Sequence, residues 1–270
     1  MGRIYQGKQI RKIGKDKIMT ALITGASSGI GREIARELAK RGIRLVISGR
    51  NYEALAKLRD EIGEKRVKII PADLSKVEEC YRLYDEAKKY NIDILINNAG
   101  FGLFGKFAET DLEREIEMIE VNVTAVHILQ KLFLKDFRKR DKGYILNVAS
   151  SAGFMPGPYM ATYYCTKNYV VRLTEAVSAE LKNEGSHVSV SALCPGPVDT
   201  NFNNTAGVTF ALKGITAEYA AKCAVEGMFA RKTLIIPTLK MKIADYVAGF
   251  LPPMLLAKIA GFMQKKKGDV

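Results

Sequence analysis

The sequence predicts an α/β fold: a doubly wound parallel sheet of about seven strands in a single domain. Three observations predict it. Short β-branched runs alternate with longer helical patterns along the chain. The runs are almost continuous in apolar residues, as strands buried on both faces require. The length, 270 residues with 47% hydrophobic and 26% charged, suits one domain that buries about three quarters of its unfolded surface.

The strand runs fall at residues 19–24, 44–48, 67–71, 92–97, 143–149, 187–194 and 234–237. Helical patterns lie between them at 30–41, 52–62, 76–90, 112–138, 161–183 and 217–230. Right-handed crossovers then place helices on both faces and a ligand crevice at the strand C-termini. No internal repeat or low-complexity linker interrupts the pattern. The chain divides into a basic extension (1–18), a core domain (19–237) and an apolar, basic tail (238–270).

Composition excludes collagen-like, disordered and disulfide-framework classes. Only two His are present, so a multi-histidine metal centre is excluded and no metal is expected. A Ser–His–Asp triad would have to use His127 or His187. Cys80, Cys165, Cys194 and Cys223 form no Cys-x-x-Cys pair and read as reduced thiols of a cytoplasmic protein. The N-terminus lacks an apolar signal region, and no 18-residue stretch is free of charge, so neither secretion nor a membrane span is expected. The net charge is +13. Arg3, Lys8, Arg11, Lys12, Lys15 and Lys17 against Asp16 concentrate part of it before the first strand. Such a surplus attracts polyanions or serves solubility. No aromatic–basic module accompanies it, so no nucleic-acid partner is expected.

The first strand runs into Thr24-Gly25-Ala26-Ser27-Ser28-Gly29-Ile30-Gly31 and a helix follows. Glycine tolerates positive φ and admits a ligand close to the backbone. The N–H groups that open the helix then face a pyrophosphate. A strand before and a helix after is the context such a loop needs. Further ordered motifs follow: Ala72-Asp73-Leu74, Asn97-Asn98-Ala99-Gly100, Ser150 after the fifth strand, Tyr163-Tyr164-Cys165-Thr166-Lys167, and Cys194-Pro195-Gly196-Pro197-Val198-Asp199-Thr200.

Together these resemble the short-chain dehydrogenase/reductase family over about residues 19–237. The resemblance implies a Rossmann-type oxidoreductase binding a nicotinamide dinucleotide. The implied contacts are Gly25, Ser27, Ser28, Gly29, Ile30, Gly31, Asp73, Leu74, Asn98, Ala99, Gly100, Tyr163, Lys167, Pro195, Gly196, Val198 and Thr200. Asp73 would lie near adenine; an N-cap for the next helix is the alternative. At the end of the second strand, Gly49 stands where an NAD-selecting acid is found in the family, and Arg50 follows. A guanidinium suits a 2′-phosphate, with Ser48 beside it, so NADP(H) is the expected cofactor.

The resemblance also supplies the catalytic set Asn122, Ser150, Tyr163 and Lys167. Tyr163 and Lys167 are four apart and share a helical face. Reduction of a ketone builds negative charge on its oxygen. Tyr163 would give the proton, with Lys167 favouring the phenolate and holding the ribose. Ser150 would hydrogen-bond the substrate oxygen, and Asn122 would position a water behind Lys167. Tyr164 pairs with Asn168 at the same spacing and is set aside.

Pocket walls are expected from Phe101, Leu103, Phe104, Phe154, Met155, Tyr159 and Met160, and from the segment 201–215 with Phe202, Val208, Phe210 and Leu212, which reads as a lid. Their character suggests a fatty-acyl, steroid-like or terpenoid ketone, the loose match within the family being to long-chain 3-oxoacyl reductases and hydroxysteroid dehydrogenases. In the tail, Val247, Phe250, Leu251, Met254, Leu255, Ile259 and Phe262 precede Lys265-Lys266-Lys267. A flap over the pocket or a subunit contact is ranked ahead of a peripheral membrane anchor. A homodimer or homotetramer is expected. The alternative function is a non-enzymatic NADP(H)-sensing regulator on the same fold. A sugar-nucleotide epimerase or dehydratase is disfavoured by the glycine spacing.

Overall fold

The computed structural model describes residues 18–200 and 214–265. The lid residues 201–213, the extension 1–17 and the last five residues lie outside the described residues.

The elements in chain order are β1 (Thr20–Thr24), α1 (Gly29–Lys40), β2 (Arg44–Ser48), α2 (Tyr52–Ile62), β3 (Val67–Ile69), α3 (Val77–Ala87), β4 (Ile94–Asn97), α4 (Leu112–Ile119), α5 (Ala125–Lys139), β5 (Gly143–Val148), α6 (Ala161–Asn183), β6 (Val188–Leu193), β7 (Val198–Asp199), β8 (Ile215–Thr216), α7 (Ala217–Phe229), β9 (Leu234–Ile235), α8 (Leu239–Ala248) and α9 (Pro253–Lys265). Seven strands form a parallel sheet in the order β3-β2-β1-β4-β5-β6-β9. The order reverses between β1 and β4, so a crevice opens at their C-terminal ends. The short parallel pair β7–β8 was not foreseen.

Period-2 alternation divides β1 between two cores. Ala21 and Ile23 face Ile34, Leu38 and the buried residues of α7 on one side. Leu22 faces the other, with Leu83, Phe133 and Phe137. This burial on both faces is why the strand runs read as continuous apolar stretches.

The expected single helix over 112–138 is two helices, joined by a π-helical turn at Glu120–Thr124. Such turns recur at functional sites, and this one carries Asn122. β3 ends two residues early, before Pro71, which has no N–H for a ladder.

Candidate active site

The loop after β1 is built by a small set of bonds. Gly25 and Gly29 adopt φ of 63° and 55°, which favours glycine at both. Ser28 precedes α1 without capping it through its side chain, leaving the first-turn N–H groups directed at the cleft. Asn98 Nδ2 donates to Thr24 O and Gly25 O, each at 3.0 Å. Thr24 Oγ1 accepts from the N–H of Asn98 and Ala99 at 3.0 and 3.1 Å. The Asn97–Gly100 segment therefore staples the loop to the sheet. Asn97 Nδ2 reaches Asn147 Oδ1, which extends this polar network through Gln130 and Thr174 in the core.

A cleft of about 900 Å³ opens above these loops. Of the expected cofactor contacts, all but one line it: Gly25, Ser27, Ser28, Gly29, Ile30, Arg50, Asp73, Leu74, Asn98, Ala99, Gly100, Tyr163, Lys167, Pro195, Gly196, Val198 and Thr200. Gly31 is the exception. It packs behind the loop, where an added Cβ would fall 2.2 Å from Asn98 Nδ2 and 2.5 Å from Gly25 O. Its role is close packing of α1 on the sheet. Thr200 faces Gly29 across the cleft, with its methyl 3.4 Å from where a Cβ would stand. A tight glycine cradle and a helix N-terminus without a side-chain cap fit a dinucleotide pyrophosphate.

The adenosine end departs from expectation in two places. Ser48 is buried with its hydroxyl unpaired and does not line the cleft. Ser27 takes its place: a Cβ on Gly49 would sit 3.6 Å from Ser27 Oγ. The Arg50 guanidinium is more than half exposed and pairs with Glu117 at 2.9 Å. Asp73 accepts from Ser75 N–H and Oγ, while α3 is entered through Lys76. The N-cap alternative for Asp73 is thereby removed.

At the other end, Ser150, Tyr163 and Lys167 converge on the cleft. Ser150 follows β5, and its Oγ accepts from Ala152 N–H at 3.1 Å. Tyr163 and Lys167 rise from the first turns of α6, with Lys167 Nζ 5.8 Å from the Tyr163 ring centroid. Nζ donates to Val148 O at 2.9 Å. Burial pushes the Tyr163 phenol well above its ordinary range, and a hydrogen bond with Ser150 pulls the other way. Burial lowers the Lys167 ammonium to about 8, opposed by the neighbouring Cys194. Tyr164 beside the Tyr163 phenol adds to its upward shift, and desolvation leads.

Asn122 is buried and does not line the cleft. Its Nδ2 donates to Phe101 O (2.9 Å) and Thr166 Oγ1 (3.0 Å), and its Oδ1 accepts from Phe101 N–H (3.1 Å). These bonds brace α6 against the loop after β4.

Of the expected pocket walls, Phe101, Met155 and Met160 line the cleft, whereas Leu103, Phe104, Phe154 and Tyr159 do not. Phe104 and Tyr159 instead stack on each other at 6.0 Å. Phe202, Val208, Phe210 and Leu212 lie outside the described residues. A further wall comes from the tail segment spanning α8–α9, which contributes Met241, Ala244, Ala248, Leu251, Leu256 and Ala260. Gln264 Nε2 donates to Tyr164 Oη at 2.8 Å, so the tyrosine set aside as a decoy ties the tail to the catalytic helix. The signal was present in the tail's apolar pattern, and the flap was among its readings.

Sheet order, crevice and a Ser–Tyr–Lys cluster beside a pyrophosphate cradle define an oxidoreductase of the doubly wound α/β class. A model of the short chain dehydrogenase family matches residues 19–211. The chain belongs to the short-chain dehydrogenase/reductase family. It is 34% identical, over 70% of its length and 81% of the relative, to an uncharacterized oxidoreductase of Staphylococcus aureus strain MRSA252. A short-chain dehydrogenase from Sphingobium yanoikuyae in complex with NADPH superposes with TM-score 0.79 at 30% identity, covering 86% of this chain and 93% of that one. A short-chain dehydrogenase/reductase from Burkholderia phymatum in complex with NAD gives TM-score 0.78 at 26% identity, covering 87% and 96%.

Proposed function

We propose that the chain is an NADP(H)-dependent reductase of a hydrophobic ketone, or the reverse alcohol dehydrogenase. The observation that carries this reading is one cleft in which Ser150, Tyr163 and Lys167 face a largely apolar wall from α8–α9. When bound, the nicotinamide supplies the hydride. The chain's own groups manage the oxygen. Tyr163 donates its proton to the carbonyl oxygen as charge builds there. Ser150 Oγ steadies that oxygen. Lys167 would hold the ribose hydroxyls and, when protonated, place its positive charge beside the phenol.

The NADP(H) preference is supported by Arg50, Ser27 and the missing acid at Gly49. Arg50 must leave Glu117 to meet a phosphate. An exposed pair of this kind is worth about 0–1 kcal/mol, less than a charge-assisted guanidinium–phosphate contact. The exchange is therefore favourable.

The test is absorbance loss from NADPH and from NADH with fatty-acyl, steroid-like and small ketones. Turnover with NADPH on an apolar ketone, abolished in Tyr163→Phe, is expected. Turnover surviving in that variant, or a wild-type preference for NADH, overturns the corresponding part of the reading.

A further inference from the structure

The helices α8 and α9 are apolar on both sides. Their inner faces form a cleft wall. Their outer faces carry Leu239, Ile243, Tyr246, Phe250, Met254 and Phe262, each more than half exposed. A helix that is hydrophobic all round belongs against a second apolar phase on its free side. No helix among the described residues is long and apolar enough to cross a membrane.

Charge decides what the second phase is. Between residues 238 and 270 the sequence has six lysines (Lys240, Lys242, Lys258, Lys265, Lys266 and Lys267) and two acids, Asp245 and Asp269. Lys242 and Lys258 are exposed and lie outside the cleft lining, whereas Lys240 lines the cleft. Asp245 is buried in α8, where it cannot pair with them. A second copy docked through the same face would bring lysines against lysines, since a two-fold contact is self-matched. An anionic lipid surface instead receives both the apolar side chains and the ammonium groups. Tyr246 and Phe250, whose rings meet edge to face at 5.1 Å, are of the residue type that anchors at headgroup depth.

We propose that α8–α9 is an interfacial docking surface for an anionic phospholipid membrane. The same two helices wall the cleft, so docking sets the cleft beside the bilayer. Resting on the ketone reading above, this makes the substrate a carbonyl compound dissolved in the lipid.

The test is co-sedimentation of the full chain with phosphatidylcholine vesicles, with and without phosphatidylserine, at low and high salt. Wild type is expected to pellet with the mixed vesicles, less so at high salt. Tyr246→Ser/Phe250→Ser and, separately, Lys242→Glu/Lys258→Glu should release it. Removing each lysine is expected to weaken partitioning about fivefold at low salt. Neither double variant touches a cleft residue, so NADPH turnover of a water-soluble ketone should persist and shows that the chain is folded. Wild type that stays in the supernatant with both vesicle types overturns the proposal. So does vesicle binding unchanged in both variants. A lipid-free mass by light scattering that falls in Tyr246→Ser/Phe250→Ser, with no vesicle binding by wild type, assigns the face to a second copy. Vesicle binding without any NADPH turnover leaves docking standing and sinks the ketone reading alone.

Discussion

Lys167 carries a stability cost that can be measured separately from its chemistry. Its ammonium is buried, and its described hydrogen-bond partner is Val148 O. Burial holds it at about 8, against 10.5 ordinarily. At about 1.36 kcal/mol for each pH unit of that difference, the charged side chain costs the fold ~3 kcal/mol near neutrality. The unfolded chain binds the proton more tightly, so stability rises with pH between about 8 and 10.5 as the native lysine loses its charge first. Lys167→Met removes the titrating group. It also leaves Val148 O unpaired, at about 1–3 kcal/mol. That loss is the same at every pH and cancels when two pH values are compared. The assay is urea denaturation of both proteins at about pH 7 and about pH 10. The stability difference between variant and wild type should move by ~2 kcal/mol toward wild type on going to the higher pH. A difference that stays constant would show that the ammonium is not held in a desolvated state, and the argument from burial would fail.

Four further outcomes follow from the same geometry. Gly49→Asp fits sterically beside Ser27 and should shift preference from NADPH toward NADH in steady-state kinetics, because a carboxylate repels a 2′-phosphate. Gly31→Ala forces a methyl into Asn98 and Gly25; a loss of about 1–3 kcal/mol in denaturant unfolding is expected, with weakened dinucleotide binding by fluorescence titration. Asn122→Ala leaves Phe101 N–H and O without their partner and should cost about 1–3 kcal/mol. Asp245 is held up at about 7 by burial, so the native state gains a proton relative to the unfolded chain between about pH 4 and 7 and loses stability as pH rises through that window. Asp245→Asn should therefore raise the melting temperature at about pH 8 and leave it unchanged at about pH 4.

The sheet was legible because its strands are buried on both faces, and burial writes itself into residue type. β2 and α6 matched their sequence ranges at both ends. The cofactor loop and the Ser150, Tyr163 and Lys167 cluster were legible because each motif sits at a fixed point of the β-α alternation. Other features were hidden for physical reasons. The π-turn at Glu120–Thr124 adds one residue to a helix without breaking its apolar stripe, so periodicity ran through it. Tyr164 finds its partner at Gln264, a hundred residues away, which no local spacing encodes. Ser48 and Ser27 are interchangeable on paper; only the strand pleat decides that Ser48 points into the protein. In α8–α9 both faces are apolar, so no hydrophobic pattern told the cleft side from the outer side.

The protonation states at the catalytic end bear on direction. Burial acts on both partners of the Tyr163–Lys167 pair and favours the neutral form of each. A phenol that keeps its proton is ready to give it to a carbonyl oxygen, whereas oxidation of an alcohol needs a phenolate first. On the ketone reading proposed above, the protonated phenol is the form that reduction draws on. The reverse reaction demands that the phenol be deprotonated against its desolvation, so its rate should climb with pH over the range where reduction stays flat.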